Sequence, residues 1–346
     1  MAKPIFVIFG GGPTALACAL WCAREGPVKI FLPCKPNVEL VPQRIEIVPI
    51  NVVGGLVELG IHPHTIGVFN VIEQRLIAWN AAEPTSEVTK AAAHLERPSL
   101  ENELLKLATR QTRVELCVSD SASARAAALE YAQRGACVID ATGRRASLAS
   151  RRFRPRRPWV ARMFHVSSES TMPLAPFMAA ALPFGYVFRA TGHRFCTIGI
   201  VGYGSSIAGS SVDICERLKK SEAAWIIEDI AARPWTMAGA KPASIQWADG
   251  DDVTSIGDAA LARDALSSQG LASGLMDARY AAAIRTFEDR RAIADRSDLA
   301  RIAHGESLAR MIATCRWRGE PVWREYMDFL AGPARMPNAQ AIRCPK

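Results

Sequence analysis

The apolar run Ile5–Phe9 ends at three glycines, and a largely apolar stretch follows them to Arg24. This pattern predicts a buried strand over 5–9, a tight turn and a helix over 13–24. A second strand is predicted over 28–32, followed by a proline-rich loop. Val52, Val53, Leu56 and Leu59 recur at helical spacing and predict a helix over 51–59. Residues 67–94 alternate like strands around a loop at 80–87. Leu100, Leu104, Leu105 and Ala108 share one face of a helix predicted over 100–110, and short apolar runs predict strands over 114–118 and 137–141. From 156 to 249 the texture changes to strand-like runs at 160–166, 185–190 and 195–201, separated by glycine turns, with one helix predicted over 211–233. Beyond Gly270 the pattern is helical until a proline-rich tail from Gly332.

Three glycine-containing turns carry the candidate chemistry. In the first, Gly10-Gly11-Gly12-Pro13-Thr14-Ala15, Gly10 permits the strand-to-helix turn and Gly12 lets a pyrophosphate approach the backbone. Ala15 packs the helix on the strand, and the helix N-terminus offers free N–H groups to phosphates. The second, Asp140-Ala141-Thr142-Gly143-Arg144, closes the strand beginning near Ala136. In the third, a strand over Thr254–Ile256 leads to Gly257-Asp258-Ala259-Ala260, a loop, and a helix opening near Gly270-Leu271. A fourth cluster, Gly199 to Gly204, has the wrong glycine order for a dinucleotide turn and reads as the end of a strand.

Together the three turns resemble the FAD-dependent monooxygenases of the p-hydroxybenzoate-hydroxylase type, in their halogenase-like branch. That branch includes flavoproteins that hydroxylate a tryptophan of a partner protein during quinone-cofactor maturation. Glu96-Arg97-Pro98-Ser99-Leu100 resembles the family's arginine-plus-helix segment, and Gln43-Arg44-Ile45-Glu46 and Trp317 to Trp323 resemble its halogenase-like members. The resemblance spans residues 4 to 325, more loosely over 155–250. It implies an α/β fold: a Rossmann-like FAD-binding domain (1–66, 95–155 and 250–300), an inserted antiparallel β-sheet substrate domain (67–94 and 156–249), and a C-terminal helical segment and tail (301–346).

By the same resemblance Gly10, Gly12, Pro13, Thr14 and Ala15 form the FAD pyrophosphate turn, and Arg44 and Arg97 supply positive charge to the cofactor. Asp258 meets the ribityl hydroxyls or the phosphates, and the helix opening at Gly270 and Leu271 turns its positive end to the flavin. Family members carry a carboxylate for the adenosine ribose at the end of the second strand, where this chain has Leu32, Pro33, Cys34 and Lys35. The loop 264–266 also has Ala265 where the family usually has proline. The implied activity is hydroxylation of an indole- or phenol-like group through a flavin hydroperoxide, with NAD(P)H or a partner reductase as electron donor. The substrate is an aromatic small molecule or a tryptophan of a partner protein. A halogenase would route hypohalous acid to a lysine, yet no lysine lies between Lys35 and Lys90 and the Trp-x-Trp-x-x-Pro pattern is absent. A non-catalytic flavin-binding protein remains an alternative because of the missing ribose carboxylate.

Composition narrows the rest. At 346 residues the chain suits one elaborate domain or two interleaved ones. No apolar run approaches the roughly 20 residues of a membrane span. The first strand begins at once, leaving no room for a signal peptide, so a cytoplasmic location is expected. Nine cysteines, an odd number without C-x-x-C pairs, indicate reduced thiols, and His62-Pro63-His64 lacks a third ligand, so no metal is expected. The net charge of +8 is uneven, with seven arginines between Arg144 and Arg157 and only Phe153 and Trp159 as nearby aromatics. That argues against nucleic acid and reads as a solvated connector, or as a docking surface for an acidic protein or anionic substrate. The aromatics of the insert, and His165 and His193, read as structural.

Overall fold

The computed structural model describes residues 6–33, 43–68, 71–167, 175–249, 253–267, 269–331 and 342–343. Cys34, Lys35 and the tail residues 332–341 and 344–346 lie outside the described residues. The chain runs β1 (Phe6–Phe9), α1 (Pro13–Glu25), β2 (Val28–Leu32), β3 (Ile45–Pro49), α2 (Ile50–Glu58), β4 (Val71–Ala78) and β5 (Thr85–Glu96). There follow α3 (Arg97–Arg110), β6 (Val114–Val118), α4 (Ser121–Gln133), β7 (Cys137–Asp140), β8 (Arg151–Phe153), β9 (Val160–Ser167), β10 (Phe177–Leu182), β11 (Gly185–Thr191) and β12 (Phe195–Gly202). The last stretch holds α5 (Ser211–Lys219), β13 (Thr236–Pro242), β14 (Gln246–Asp249), β15 (Thr254–Ser255), α6 (Asp258–Leu261), α7 (Gly270–Ala281), α8 (Phe287–Thr314), α9 (Pro321–Ala331) and β16 (Ile342–Arg343).

One sheet is wholly parallel, in the order β15-β7-β1-β2-β6. Its central strand β1 is fully buried, as its uninterrupted apolar sequence requires. The chain builds outward from β1 through β2 to β6, then returns to the other side of β1 for β7 and β15. This reversal opens a crevice at the carboxyl ends of β1 and β7, the usual ligand position in such sheets. Helices α1 and α7 pack together over one face, and ten of the thirteen α1 residues are buried, Cys18 and Cys22 among them.

The second sheet has eight strands in the order β13-β9-β12-β11-β10-β4-β5-β3. All its pairings are antiparallel except β10 with β4. Those two strands are separated in the chain by β5 through β9, so no hairpin dictates their direction. β12 is buried along its whole length, its Gly199 making room for the Phe188 ring: a Cβ there would lie 2.2 Å from Phe188 Cε1. One face of this sheet packs on α5 and the following 3-10 turn, the other on Trp323 and Tyr326 of α9. β3 forms its edge, so Arg44 and Glu46 stand between the two sheets. β5 runs straight into α3 and brings Arg97 to the same gap.

The helix predicted over 211–233 ends at Lys219. The Ser221 hydroxyl donates to Leu218 O and accepts from Ala223 N, diverting the backbone into a short 3-10 turn at 224–226. α4 was not foreseen; its alanine-rich sequence shows little periodicity, and Asp120 opens it by accepting from Ser123 N at 2.9 Å. Among the described residues no helix is long and apolar enough to cross a membrane.

Candidate active site

A cavity of about 1070 Å³ fills the crevice between the two sheets. Pockets for single small ligands run to about 300–1,000 Å³, so this one suits an extended molecule. Its rim is the glycine turn. Gly10 has φ +137°, and a Cβ there would lie 2.2 Å from the Ala141 carbonyl oxygen and 3.2 Å from Ala15 Cβ. β1, β7 and α1 therefore meet at a point only glycine can occupy. Gly12 differs: its φ is −84° and a Cβ would meet nothing within 4 Å, because it faces the cavity. No side chain caps α1, which starts at Pro13, so its first-turn N–H groups face that open space. α7 likewise begins at the cavity without a side-chain cap, at Gly270 and Leu271. Two helix N-termini thus converge on one space, a ready site for a polyanion.

The charged lining agrees. Arg44, Arg97, Arg144, Arg145, Lys241 and Arg263 face it against Glu46, Glu101, Asp258 and Asp264, a surplus of two cations over acids. Arg44 Nε lies 2.6 Å and Arg97 Nη1 3.1 Å from Glu46 Oε1, and Arg97 also pairs with Glu101. Burial works to raise the Glu46 carboxyl, but Arg44, Arg97 and Lys241 outweigh it and hold it below the usual range. Arg144 donates to Ser244 O at 2.7 Å and Arg263 O at 2.6 Å, and its Nε sits 3.8 Å from Asp258 Oδ2. Burial nevertheless raises the Asp258 carboxyl, against the pull of Arg144, Arg97 and Arg44. Lys241 projects from edge strand β13; its surface is open to the cavity, yet protein surrounds it on most sides. That partial burial, reinforced by Arg44 and Arg97, brings its ammonium down to about 8.

The turn after β7 is built by Asp140. Its buried carboxylate accepts from Thr142 N at 2.9 Å, Thr142 Oγ1 at 2.6 Å and Leu148 N at 2.9 Å. It shapes the wall and touches no open space. Gly257, at φ +57°, is held by Asp277 Oδ2, which accepts from its N–H at 3.1 Å. Thr14 fills the seam between Gly257 and Gly274: Cβ atoms on these glycines would lie 3.0 and 2.3 Å from its side chain.

The far end of the cavity is apolar, walled by Ala161, Met163, Phe188, Ala190 and Ala243. There Ala265 donates its N–H to Ala243 O at 3.1 Å, a bond a proline would forfeit. This accounts for the absence of proline there. Beside it the buried Asp264 carboxylate accepts from the Tyr326 hydroxyl, and Asp264 N donates to His304 Nε2 at 3.2 Å.

Gly10, Gly12, Pro13, Thr14, Arg44, Arg97, Asp258, Gly270 and Leu271 all line this one cavity; Ala15 lies buried behind the turn. Lys241 and Asp264 were not singled out as site residues, since a lone lysine in an edge strand and an aspartate in a loop carry no motif. Arg144 was read with the solvated basic stretch, but its guanidinium is fixed by two carbonyls at the cavity. Pro33 follows β2 at the opposite end, where Ser119 donates its N–H to Leu32 O at 2.9 Å; Thr14, Thr142 and Ser147 are the other hydroxyl-bearing side chains of the lining.

The arrangement of parallel sheet, glycine turn and second sheet is shared with solved structures of flavin-dependent halogenases and of a tryptophan dihydroxylase. No protein-family model and no curated protein matches the sequence. Among solved structures, QhpG, a peptidyl tryptophan dihydroxylase essential for tryptophylquinone cofactor biogenesis, is similar at TM-score 0.68 and 20% identity, over 94% of this chain and 79% of that one. The flavin-dependent brominase Bmp2 is similar at TM-score 0.70 and 13% identity, over 94% and 90%. A flavin-dependent halogenase from Xanthomonas campestris is similar at TM-score 0.70 and 12% identity, over 95% and 82%.

Proposed function

We propose that the chain is an FAD-dependent monooxygenase that hydroxylates an aromatic, indole- or phenol-like group. The observation that carries this reading is the convergence of two uncapped helix N-termini and a two-cation surplus on a cavity whose far end is apolar. The residues fit FAD: Gly10, Gly12, Pro13 and Thr14 would hold its diphosphate together with Arg44 and Arg97. Asp258 would take the ribityl hydroxyls, and Ser119 and Ser147 the adenosine ribose that lacks a carboxylate at Pro33. When bound, reduced FAD supplies the activation of dioxygen. The chain's own part is to orient the ring against Met163 and Phe188, exclude water there, and stabilise negative charge at the α7 N-terminus. Similarity to a peptidyl tryptophan dihydroxylase supports a tryptophan of a partner protein as one substrate; a free aromatic molecule is the other. NAD(P)H or a partner reductase would supply electrons.

The experiment supplies FAD, NAD(P)H, labelled dioxygen and either indole, phenol or a tryptophan-containing partner peptide, and analyses products by mass spectrometry. One labelled oxygen in an aromatic product supports the reading, and its carrier separates the two substrate classes. Oxygen-independent reduction of the substrate would contradict it. Lys241 favours a second reading, halogenation, because it puts a lysine in the cavity despite the gap between Lys35 and Lys90. With bromide added, a brominated product that disappears in Lys241→Met supports halogenation; hydroxylation indifferent to bromide rejects it.

A further inference from the structure

Behind the apolar end of the cavity lies a run of oxidisable rings that the proposed reaction leaves unused. Tyr326 donates its hydroxyl hydrogen to Asp264 Oδ2, and Asp264 lines the cavity. Tyr326 stacks on Trp159 with centroids 4.7 Å apart at 29°. Trp159 meets Trp323 edge-on at 5.0 Å, and Trp323 meets Trp79 edge-on at 5.4 Å. Trp159 and Trp323 are fully buried, whereas Trp79 is 8% exposed. The rings therefore run in unbroken contact from a phenol bonded to a cavity-lining carboxylate to a largely buried indole that reaches solvent with 8% of its surface.

We infer that Tyr326, Trp159, Trp323 and Trp79 form a path along which single electrons travel from the surface to the cavity. The inference rests on the flavin reading above. Electron transfer slows steeply with distance, so short hops between touching rings outrun one jump over the same span. The hydrogen-bond partners fit such a path. The Trp323 indole N–H donates to Leu182 O at 2.9 Å and that of Trp79 to Met311 O at 2.6 Å. A carbonyl is too weak a base to keep the proton, so an oxidised indole stays a cation and its hole stays mobile. Tyr326 differs, because its carboxylate partner can take the proton.

The step balances as follows in atoms and charge. A one-electron oxidant in the cavity takes an electron from Tyr326 as its hydroxyl proton passes to Asp264 Oδ2. The oxidant is a light-excited oxidised isoalloxazine, which keeps the electron as its one-electron-reduced form. Trp159 then returns an electron to Tyr326 and the proton moves back, leaving the hole on Trp159, from which it passes to Trp323 and Trp79. Stray oxidising equivalents thereby leave the site before damaging its lining.

The test uses the full chain reconstituted with FAD, a laser flash into the flavin band without oxygen, and transient absorption of tryptophanyl and tyrosyl radicals. The wild type is expected to give a tryptophanyl transient. Trp159→Phe, with flavin still bound, should lose it and prolong the tyrosyl signal; Trp159→Tyr restores an oxidisable ring and should recover it. A transient unchanged in Trp159→Phe, or absent from flavin-loaded wild type, overturns the path alone. A wild-type chain that retains no FAD in its absorption spectrum overturns the path together with the cofactor assignment.

Discussion

Alanine at Gly12 and alanine at Gly10 are the same chemical change two residues apart, and the structure assigns them opposite consequences. At Gly12 the φ of −84° suits any residue and a Cβ meets nothing within 4 Å. Losing a good helix-capping residue and stiffening the unfolded chain are opposing effects of about 0.5–1 kcal/mol each, so Gly12→Ala should leave stability within about 0.5 kcal/mol of wild type. Its methyl group, however, projects into the space where α1 presents its free N–H groups. Displacing a diphosphate by a methyl's width forfeits at least one hydrogen bond to a charged group, about 1.5–3 kcal/mol. FAD affinity should therefore fall by about 10- to 150-fold. At Gly10 the φ of +137° strains an L-residue by about 1–3 kcal/mol, and the Cβ would sit 2.2 Å from Ala141 O. Overpacking against that backbone adds about 1–3 kcal/mol, so Gly10→Ala should lose about 2–6 kcal/mol of folding stability. Urea unfolding of the flavin-free chains and FAD titration by flavin fluorescence measure both quantities. A Gly12→Ala chain that binds FAD like the wild type, or a Gly10→Ala chain of wild-type stability, refutes the reasoning.

Three further outcomes follow from ionisable groups that the fold partly or wholly shields from water. Lys241 falls to about 8 from an unfolded value of 10.5, so below pH 8 the unfolded chain binds a proton more readily and this group disfavours folding, an effect that fades as pH rises to 10.5. Lys241→Met should thus gain about 1 kcal/mol near neutral pH, after discounting for solvent in the cavity, and nothing in strong alkali; equal gains at both would contradict this. Burial lowers His94 and His304 from 6.5 to about 4, so stability should fall as pH drops through that window, by at most about 3 kcal/mol each. His304→Gln should flatten the urea midpoint between about pH 7 and about pH 5. Arg189 is fully buried and makes a bidentate pair with Asp229 at 2.5 and 3.0 Å, so Asp229→Ala should cost about 3 kcal/mol by stranding the guanidinium, measurable by urea unfolding.

Much of the parallel sheet was legible because its strands are uninterrupted apolar runs and its turns use glycine where only glycine fits, as at Gly10 and Gly257. Several residues that line the cavity were legible for the same reason: Gly12, Asp258 and Gly270 follow the ends of strands in glycine-containing turns. What stayed hidden depends on distant parts of the chain meeting. Arg144 looks like one more arginine of a basic run until Ser244 and Arg263, a hundred and more residues away, supply its acceptors. Lys241 gains meaning only because β13 pairs with β9 and brings it beside Arg44 and Arg97. Asp264 becomes a buried wall of the site only through Tyr326 and His304, from helices later in the chain. Local chemistry also overrode periodicity, as when the Ser221 hydroxyl ended α5 early.

The central claim is that this cavity holds FAD. Its most direct test is the visible absorption spectrum of the purified protein before and after incubation with FAD and desalting. The structure predicts oxidised-flavin bands that stay with the protein in equal proportion to the chain. A flavin-free spectrum after incubation would mean that the missing carboxylate at Pro33 outweighs the two helix N-termini and the cationic lining, and the monooxygenase assignment would fall with it.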